Sequence, residues 1–524
     1  MTPYGYGKHL TLSEGQRFLL LAILIGVFSG LMVVAFHIAI DLLSWYSLGA
    51  LSGTYRFGRL VSPALGALAA TFIATRMFPA ARGSGVNQTK AALYISDGFV
   101  DPTTLPGKFL ACSISIGSGN SLGPEDPSLQ MGAGVASLLG RVFHLGRKNM
   151  RLIAPVGAAA GIAAAFNTPI TGVLFVMEEV VASWNAGVVG SIVLSAVSAV
   201  VVVRWFLGNE PLFRVPVFEF QHPSELLVYA AIGVVGGLLS AGFIQLIEIL
   251  HEKLDRIPNR NILVQALCGG LFCGFAGLWL PEVMGSGYDA IDFALHGRFP
   301  WNLLLILAAA KLVVTIICFS TGVPGGMFAP TLFVGAMLGG GLAGLAHHYS
   351  ALVSSPVGAY VLVGMGTFFS GVFRAPMTSI FMVFETSASY VIILPVMIAN
   401  TISYFISRSL HPVPFFTMLA REEGIDLPSA EEYRSTEVLR VEDAMRPLPE
   451  GMLLDKAPAV YPDVTLDAAL RLLADNPILC VASRDNPQTP IGVLALADVR
   501  RAYGFPEDMP RVGEVTGVAD KIDR

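Results

Sequence analysis

Between Phe299 and Phe373 the chain carries one formally charged side chain, Lys311. In water that stretch would need a core to hide in; a bilayer accepts it directly. Other uncharged runs, Phe18 to Phe36, Leu226 to Ile247 and Ile262 to Leu280, match the ~20 residues that a spanning helix requires. Over its 524 residues the chain is 54% hydrophobic and 14% charged, against roughly 25% charged in soluble domains. It therefore reads as an integral, multi-pass membrane protein and not as a soluble enzyme or a nucleic-acid binder. The polar opening, Met1 to Arg17, leads straight into a full-length apolar run without a short hydrophobic region and cleavage site, so the first helix is expected to stay. The net charge of −5 does not orient the chain, because orientation follows Lys and Arg in short loops.

Fifty-five glycines and 32 prolines interrupt the apolar region, which predicts many tilted and broken helices. Irregular backbone at membrane depth survives only where protein buries it or a polar cavity is lined by it, since lipid satisfies no free N–H or C=O. The interruptions also repeat. Lys108 to Pro127 (KFLACSISIGSGNSLGPEDP) and Lys311 to Pro330 (KLVVTIICFSTGVPGGMFAP) share a lysine, two glycines and a proline in register, 203 positions apart (108 to 311). Gly83-Ser84-Gly85 returns as Gly285-Ser286-Gly287, and Pro169 to Glu178 returns as Pro376 to Glu385. These echoes predict two homologous halves, 16–208 and 223–420, with the site at their interface as in repeat-built transporters. Where the halves differ most, Glu125 of the first faces Phe328 of the second.

Three segments, Gly83 to Asn87, Gly123 to Pro127 and Gly326 to Pro330, place glycines just ahead of an apolar helical run. The first N–H groups of such helices are unpaired and carry roughly half a positive charge. Several converging within a membrane make an anion site without full positive charges. Glu125 is a candidate in its own right, because an ionisable group at the bilayer centre costs ~2.5 to 3.5 kcal/mol or more and persists for function. Glu178 and Glu179 end an apolar run and point about 100° apart on a helix, so they divide their roles. Glu178 recurs as Glu385, which suggests a scaffold task in both halves, whereas Glu179 faces Thr386. The five cysteines show no metal-type pairing and read as packing residues. His347-His348 lacks any nucleophile or metalloprotease context, so no enzyme is expected.

In combination these segments resemble the CLC family of chloride channels and proton/chloride antiporters. Gly83 to Asn87 looks like its GSGIP motif, Gly123 to Pro127 like GREGP, Gly326 to Pro330 like GxFxP, and Phe166 to Glu179 like its FNAPLAG...EE segment. The resemblance covers about residues 15 to 420. It implies an all-α membrane protein of CLC type, an antiparallel (inverted) repeat of tilted and broken helices, assembled as a homodimer in a cell membrane, the bacterial inner membrane, with both termini cytoplasmic. It implies chloride and protons as the transported species and no required cofactor. Chloride would be bound by the Ser84 hydroxyl and by the backbone N–H groups of Met327 and Phe328. Glu125 would be the gate and Glu179 the inner proton acceptor, a residue of the family's transporters that its channels usually lack. A tyrosine of the family falls at Phe416 if Pro414 is the anchor, or at Phe415 by the spacing to Ala420-Arg421; either way its hydroxyl is missing. Pro124, Asp126 and Asn87 also depart from the motifs. A second carboxylate at Asp126 is expected to repel Glu125 if both are ionised. A passive chloride channel of the same fold is the alternative implied by the same resemblance.

After about Arg421 the chain turns charged and polar. Its pattern from 436 to 524 predicts a small soluble α+β unit: an amphipathic Leu466 to Leu473, an apolar Ile478 to Ala482, a strand at Gly492-Val493-Leu494, and Asp498-Val499-Arg500. The order strand, helix, strand, strand, helix resembles one CBS motif, and Val512 to Thr516 resembles the beginning of a truncated second. An adenine nucleotide is the ligand such motifs hold in pairs, with Asp498 as the residue for its ribose; with one motif visible, none is required.

Overall fold

The computed structural model describes residues 14–50, 56–181, 186–213, 215, 225–258, 261–349, 355–425, 427, 439–448, 458–474, 476–483 and 490–502. The chain forms two compact units, Met1–Tyr433 and Arg434–Arg524.

The first unit is built mainly of helices among its described residues. Its first half contains α1 (Glu14–Ser44), α2 (Arg56–Phe72), α3 (Gly85–Tyr94), α4 (Thr104–Gly117), α5 (Glu125–Val142), α6 (Arg147–Arg151), α7 (Ile153–Phe166), α8 (Pro169–Phe175) and α9 (Ala186–Leu207). The second half contains α10 (Glu225–Asp255), α11 (Ile262–Gly277), α12 (Tyr288–Leu295), α13 (Trp301–Ser320), α14 (Phe328–Tyr349), α15 (Val357–Phe373), α16 (Pro376–Ser387) and α17 (Ile393–Leu410), and α18 (Phe415–Glu422) follows. Among the described residues eight helical stretches are long and apolar enough to cross a bilayer. Two of the three runs without charge lie in α1 and α10, whereas the third, Ile262 to Leu280, forms the shorter helix α11, which ends at Gly277 and is not one of those eight. Their outer faces stay apolar and exposed, as at Leu20, Phe28, Leu227 and Phe275, which is the pattern of lipid-facing surface. Helices α3, α8 and α12 are too short to span, and each follows a glycine or proline break.

The halves are built alike. α1 packs on α9 as α10 packs on α17, and α5 packs on α7 as α14 packs on α15. Glycine sets these last two crossings: a Cβ on Gly132 would collide with the carbonyl oxygen of Gly157, and one on Gly335 with that of Gly364. Small residues let the backbones meet where the lipid environment offers no hydrophobic drive for association.

Reciprocal contacts join the halves, as a local two-fold axis demands. Gly123 and Gly326 form an antiparallel bridge in which each N–H donates to the other's carbonyl at 2.8 Å. The Glu178 carboxylate accepts from Thr378 N (2.9 Å) and Thr378 Oγ1 (2.8 Å) at the start of α16. In return Glu385 accepts from Thr171 N (2.7 Å) and Thr171 Oγ1 (2.6 Å) at the start of α8. Each half thus caps an otherwise unpaired helix start of the other, the scaffold task that the Glu178/Glu385 echo suggested.

The second unit carries a four-stranded sheet, β1 (Arg446–Pro447), β2 (Ala459–Val460), β3 (Ile478–Ala482) and β4 (Pro490–Ala495), in the order β1-β4-β3-β2. β2 runs parallel to β3, and β3 antiparallel to β4. The parallel pair needs a crossover, supplied by the helix Leu466–Leu473, whose Leu466, Ala469 and Leu473 join Leu479, Val481 and Leu494 in a small core. The expected order of strand, helix, strand, strand, helix is present, closed by the helix Leu496–Ala502. Asp498 is turned inward: it is buried, accepts from Ala495 N at 3.0 Å and pairs with Arg446. Its carboxylate thus serves the unit's own framework. Val512 to Thr516 lies outside the described residues.

Candidate anion and proton site

The three glycine segments start α3, α5 and α14, as their composition predicts, and the starts meet. Ser84 is the N-cap of α3 with extended backbone. Its hydroxyl reaches Asp126 Oδ1 at 3.2 Å, while Gly85 N donates to Asp126 Oδ2 (2.9 Å) and Val86 N to Asp126 Oδ1 (3.1 Å). Asp126 stands directly beside Glu125, the neighbour it was expected to repel. The two are successive residues in the first turn of α5, so their side chains diverge: Asp126 goes to α3 of its own half, and Glu125 to the second half.

Glu125 is completely buried. It accepts a hydrogen bond from Ala329 N at 3.2 Å, in the first turn of α14, and another from the phenol of Tyr288. The carboxylate of the first half thus lies against the helix start that Phe328 opens in the second. Tyr288 begins α12 directly after Gly285-Ser286-Gly287, and the Phe213 ring meets it edge-on at 5.9 Å. Neither aromatic residue was singled out from sequence, yet the signal is there: Pro211-Leu212-Phe213 stands 203 positions before Pro414-Phe415-Phe416 (213 to 416).

Ser84, Asp126, Met327, Phe328, Phe415 and Phe416 line one small cavity of about 10 Å³, room for about one water-sized sphere. Both candidates for the missing tyrosine therefore reach it. Phe415 leans on Phe319 (6.1 Å), whereas Phe416 stacks on Phe373 (5.3 Å) and meets Phe328 (6.2 Å) and Phe175 (6.4 Å). Arg374 fixes this corner by donating to the carbonyls of Pro412 (2.6 Å), Val413 (3.1 Å) and His411 just ahead of α18. A cavity of about 350 Å³ adjoins on the Ser84 side, lined among others by Lys108, His251 and Glu423. Another of about 400 Å³ is lined by Tyr288, Arg59, Glu282 and Asp289. From one to the other the order is Tyr288, Glu125, Asp126, Ser84.

Glu179 lies apart from that line. It is buried and ion-paired with Lys90 of α3, whose ammonium stands 5.9 Å from the Phe416 ring centroid. Lys90 went unnoticed in the sequence because nothing local marks it; its partner is 89 residues away. The repeated lysines have a structural explanation. Lys108 Nζ donates to Gly83 O at 2.6 Å, and Lys311 Nζ to Gly285 O (2.6 Å) and Val283 O (2.9 Å), so each steadies the glycine loop of its own half. Among the described residues no group of three His, Cys, Asp or Glu side chains is arranged for a metal ion.

Known proteins share this framework. Residues 65–408 match the family described as voltage gated chloride channel. A protein of Ralstonia nicotianae that carries a ClcB-like chloride-channel name is 33% identical, across 79% of this chain and 99% of its own length. The H(+)/Cl(-) exchange transporter ClcA of Yersinia pestis is 30% identical, across 82% of this chain and 92% of its own. Among solved structures, a slow cyanobacterial Cl-/H+ antiporter superposes with a TM-score of 0.71 at 23% identity, covering 78% of this chain and 98% of that one. A CLC-type fluoride/proton antiporter superposes with 0.66 at 21%, covering 77% and 97%. With the repeat, the converging helix starts and the buried glutamate in place, the chain belongs to the voltage gated chloride channel (CLC) family.

Proposed function

We propose that the protein exchanges chloride for protons across a cell membrane. One observation carries the reading: Glu125, a protonatable group with no counter-ion among the described residues, bridges the halves between two polar cavities, held by a phenol and a helix-start amide. Ionised, it occupies the end of α14 as an anion would. Protonated, it loses the attraction of that helix start and yields the position to chloride. Ser84 with the amides of Met327 and Phe328 forms the central anion site, and Phe416 is the steric element beside it. Glu179 is the inner proton acceptor. The relatives named as H(+)/Cl(-) exchangers support this assignment, as does the separation of Glu179 from the anion line. A homodimer in the bacterial inner membrane with cytoplasmic termini belongs to the same proposal. So does the reading of the tail as a single CBS-like unit, which its strand order supports.

A second reading, passive chloride conduction, is favoured by the Lys90–Glu179 ion pair. Breaking a buried pair costs about 3 to 5 kcal/mol, and a proton passing through Glu179 has to accompany that separation. Two variants in proteoliposomes decide the roles. Glu125→Gln is expected to abolish the pH dependence of chloride flux, and Glu179→Gln to stop proton movement while chloride still moves. Proton coupling that survives Glu179→Gln removes Glu179 from the route.

A further inference from the structure

We propose that Asp126 is a tethered anion that occupies the central halide site, so that transported chloride must displace a carboxylate of the protein's own chain before Ser84 can receive it. This deepens the proposed function and rests on its anion-transport reading.

The donors through which the start of α3 would hold a halide, the Ser84 hydroxyl and the N–H groups of Gly85 and Val86, are all within 3.2 Å of the Asp126 carboxylate oxygens. A carboxylate on two backbone amides and a hydroxyl is an anion seated in an anion site. Such charge-assisted bonds are roughly twice as strong as neutral ones. The shared cavity is a second, independent observation. Ser84 and Asp126 line one small space with Met327, Phe328 and Phe416, so a halide received by Ser84 stands against the Asp126 carboxylate. The two anions therefore compete for the same donors and repel each other by charge.

The backbone holds Asp126 in place for this role. Its Cβ packs against Gly326, where even a methyl group would approach to 2.9 Å, and Gly326 is locked to Gly123 by the paired 2.8 Å hydrogen bonds. Lys108 of α4, the basic group beside the Ser84 loop, is engaged with the Gly83 carbonyl. The side chain has an exit, since Ser84 also lines the cavity of about 350 Å³. The two carboxylates that start α5 then act in series: Glu125 closes the end of α14, and Asp126 fills the start of α3.

Equilibrium titration of the purified full-length protein with sodium chloride and sodium bromide, followed by calorimetry, tests this. Asp126→Gly and Asp126→Asn are expected to bind halide about 10- to 100-fold more tightly than the parent, the range that one lost charged competitor spans. Ser84→Ala is expected to weaken binding far more in the Asp126→Gly background than in the parent, where the hydroxyl is already engaged. Asp126→Asn keeps the shape and an acceptor for the amides, so it carries the test if Asp126→Gly does not fold. Unchanged or weaker halide binding in the folded variants, with only a loss of thermal stability, makes Asp126 a helix cap and overturns the proposal. Because binding is read without a gradient, a parent that proves to be a passive conductor leaves this result intact, and a failed titration leaves exchange untouched.

Discussion

Glu125 owes its position to one pair of residues that the duplication did not keep equal. The shared glycines put a helix start at residue 125 in one half and at residue 328 in the other; only the first half has an acid there. With Phe328 buried in an aromatic cluster of Phe175, Phe369 and Phe373, the amide end of α14 is left to Glu125. Tyr288 supplies the second hydrogen bond. A hydrogen bond to a charged group contributes about 1.5 to 3 kcal/mol, so Tyr288→Phe is expected to loosen the closed gate and raise chloride efflux from proteoliposomes about tenfold or more at fixed pH. Efflux equal to that of the parent would mean that the phenol only packs. Glu125, Ser84 and Glu179 were legible because motif spacing and an acid in an apolar run are local signals. Tyr288 and Lys90 were not, since each matters through a partner 89 to 163 residues away, and Phe213 was marked only by its offset from Phe416. Asp126 was noticed for its neighbour Glu125, but its hydrogen bonds to Ser84, Gly85 and Val86 were not legible.

At the scale of elements, the short helices hold the site and the exchanged caps hold the short helices. α8 and α16 begin at prolines and would leave their first N–H groups bare in the protein interior; Glu178 and Glu385 cover them across the interface. Glu178 is almost fully buried, whereas Glu385 is only half-buried. Removing a buried acceptor costs more because water does not replace it. Glu178→Ala is therefore expected to lower stability by about 2 to 3 kcal/mol and Glu385→Ala by about 1 kcal/mol, compared as unfolding midpoints in detergent. Equal losses would show that burial does not set the difference. The offset between Pro169–Glu178 and Pro376–Glu385 made the equivalence of the two acids readable, but not that each serves the other's half. In the C-terminal unit, the amphipathic Leu466–Leu473 and the apolar Ile478–Ala482 were found at the same bounds in the structure, because the helix buries one face and the strand is a short apolar run bounded by polar residues. In the lipid-embedded unit both faces are apolar, so periodicity there says little and glycine and proline breaks carry the information instead.

Across the molecule, duplication provides a nearly symmetric frame, and a few unequal positions make it directional. Glycine loops steadied by Lys108 and Lys311, crossings at Gly132/Gly157 and Gly335/Gly364, and the Gly123–Gly326 bridge recur in both halves. Glu125, Asp126 and Glu179 face Phe328, Ala329 and Thr386 and have no acidic equal. Membrane character, two halves and an interfacial site follow from the sequence because lipid dictates the first and register the others. What the sequence withheld is how the acids are partnered: a phenol and an amide for Glu125, three donors for Asp126, an ammonium for Glu179. The central claim is that anion and proton movements are coupled through Glu125 and Glu179. Its most direct test is the full-length protein in sealed liposomes with a chloride gradient and no initial pH gradient. The account predicts that chloride running downhill drives protons uphill in the opposite direction. Chloride flux with no proton movement beyond electrical balance would contradict it and leave a passive anion pathway.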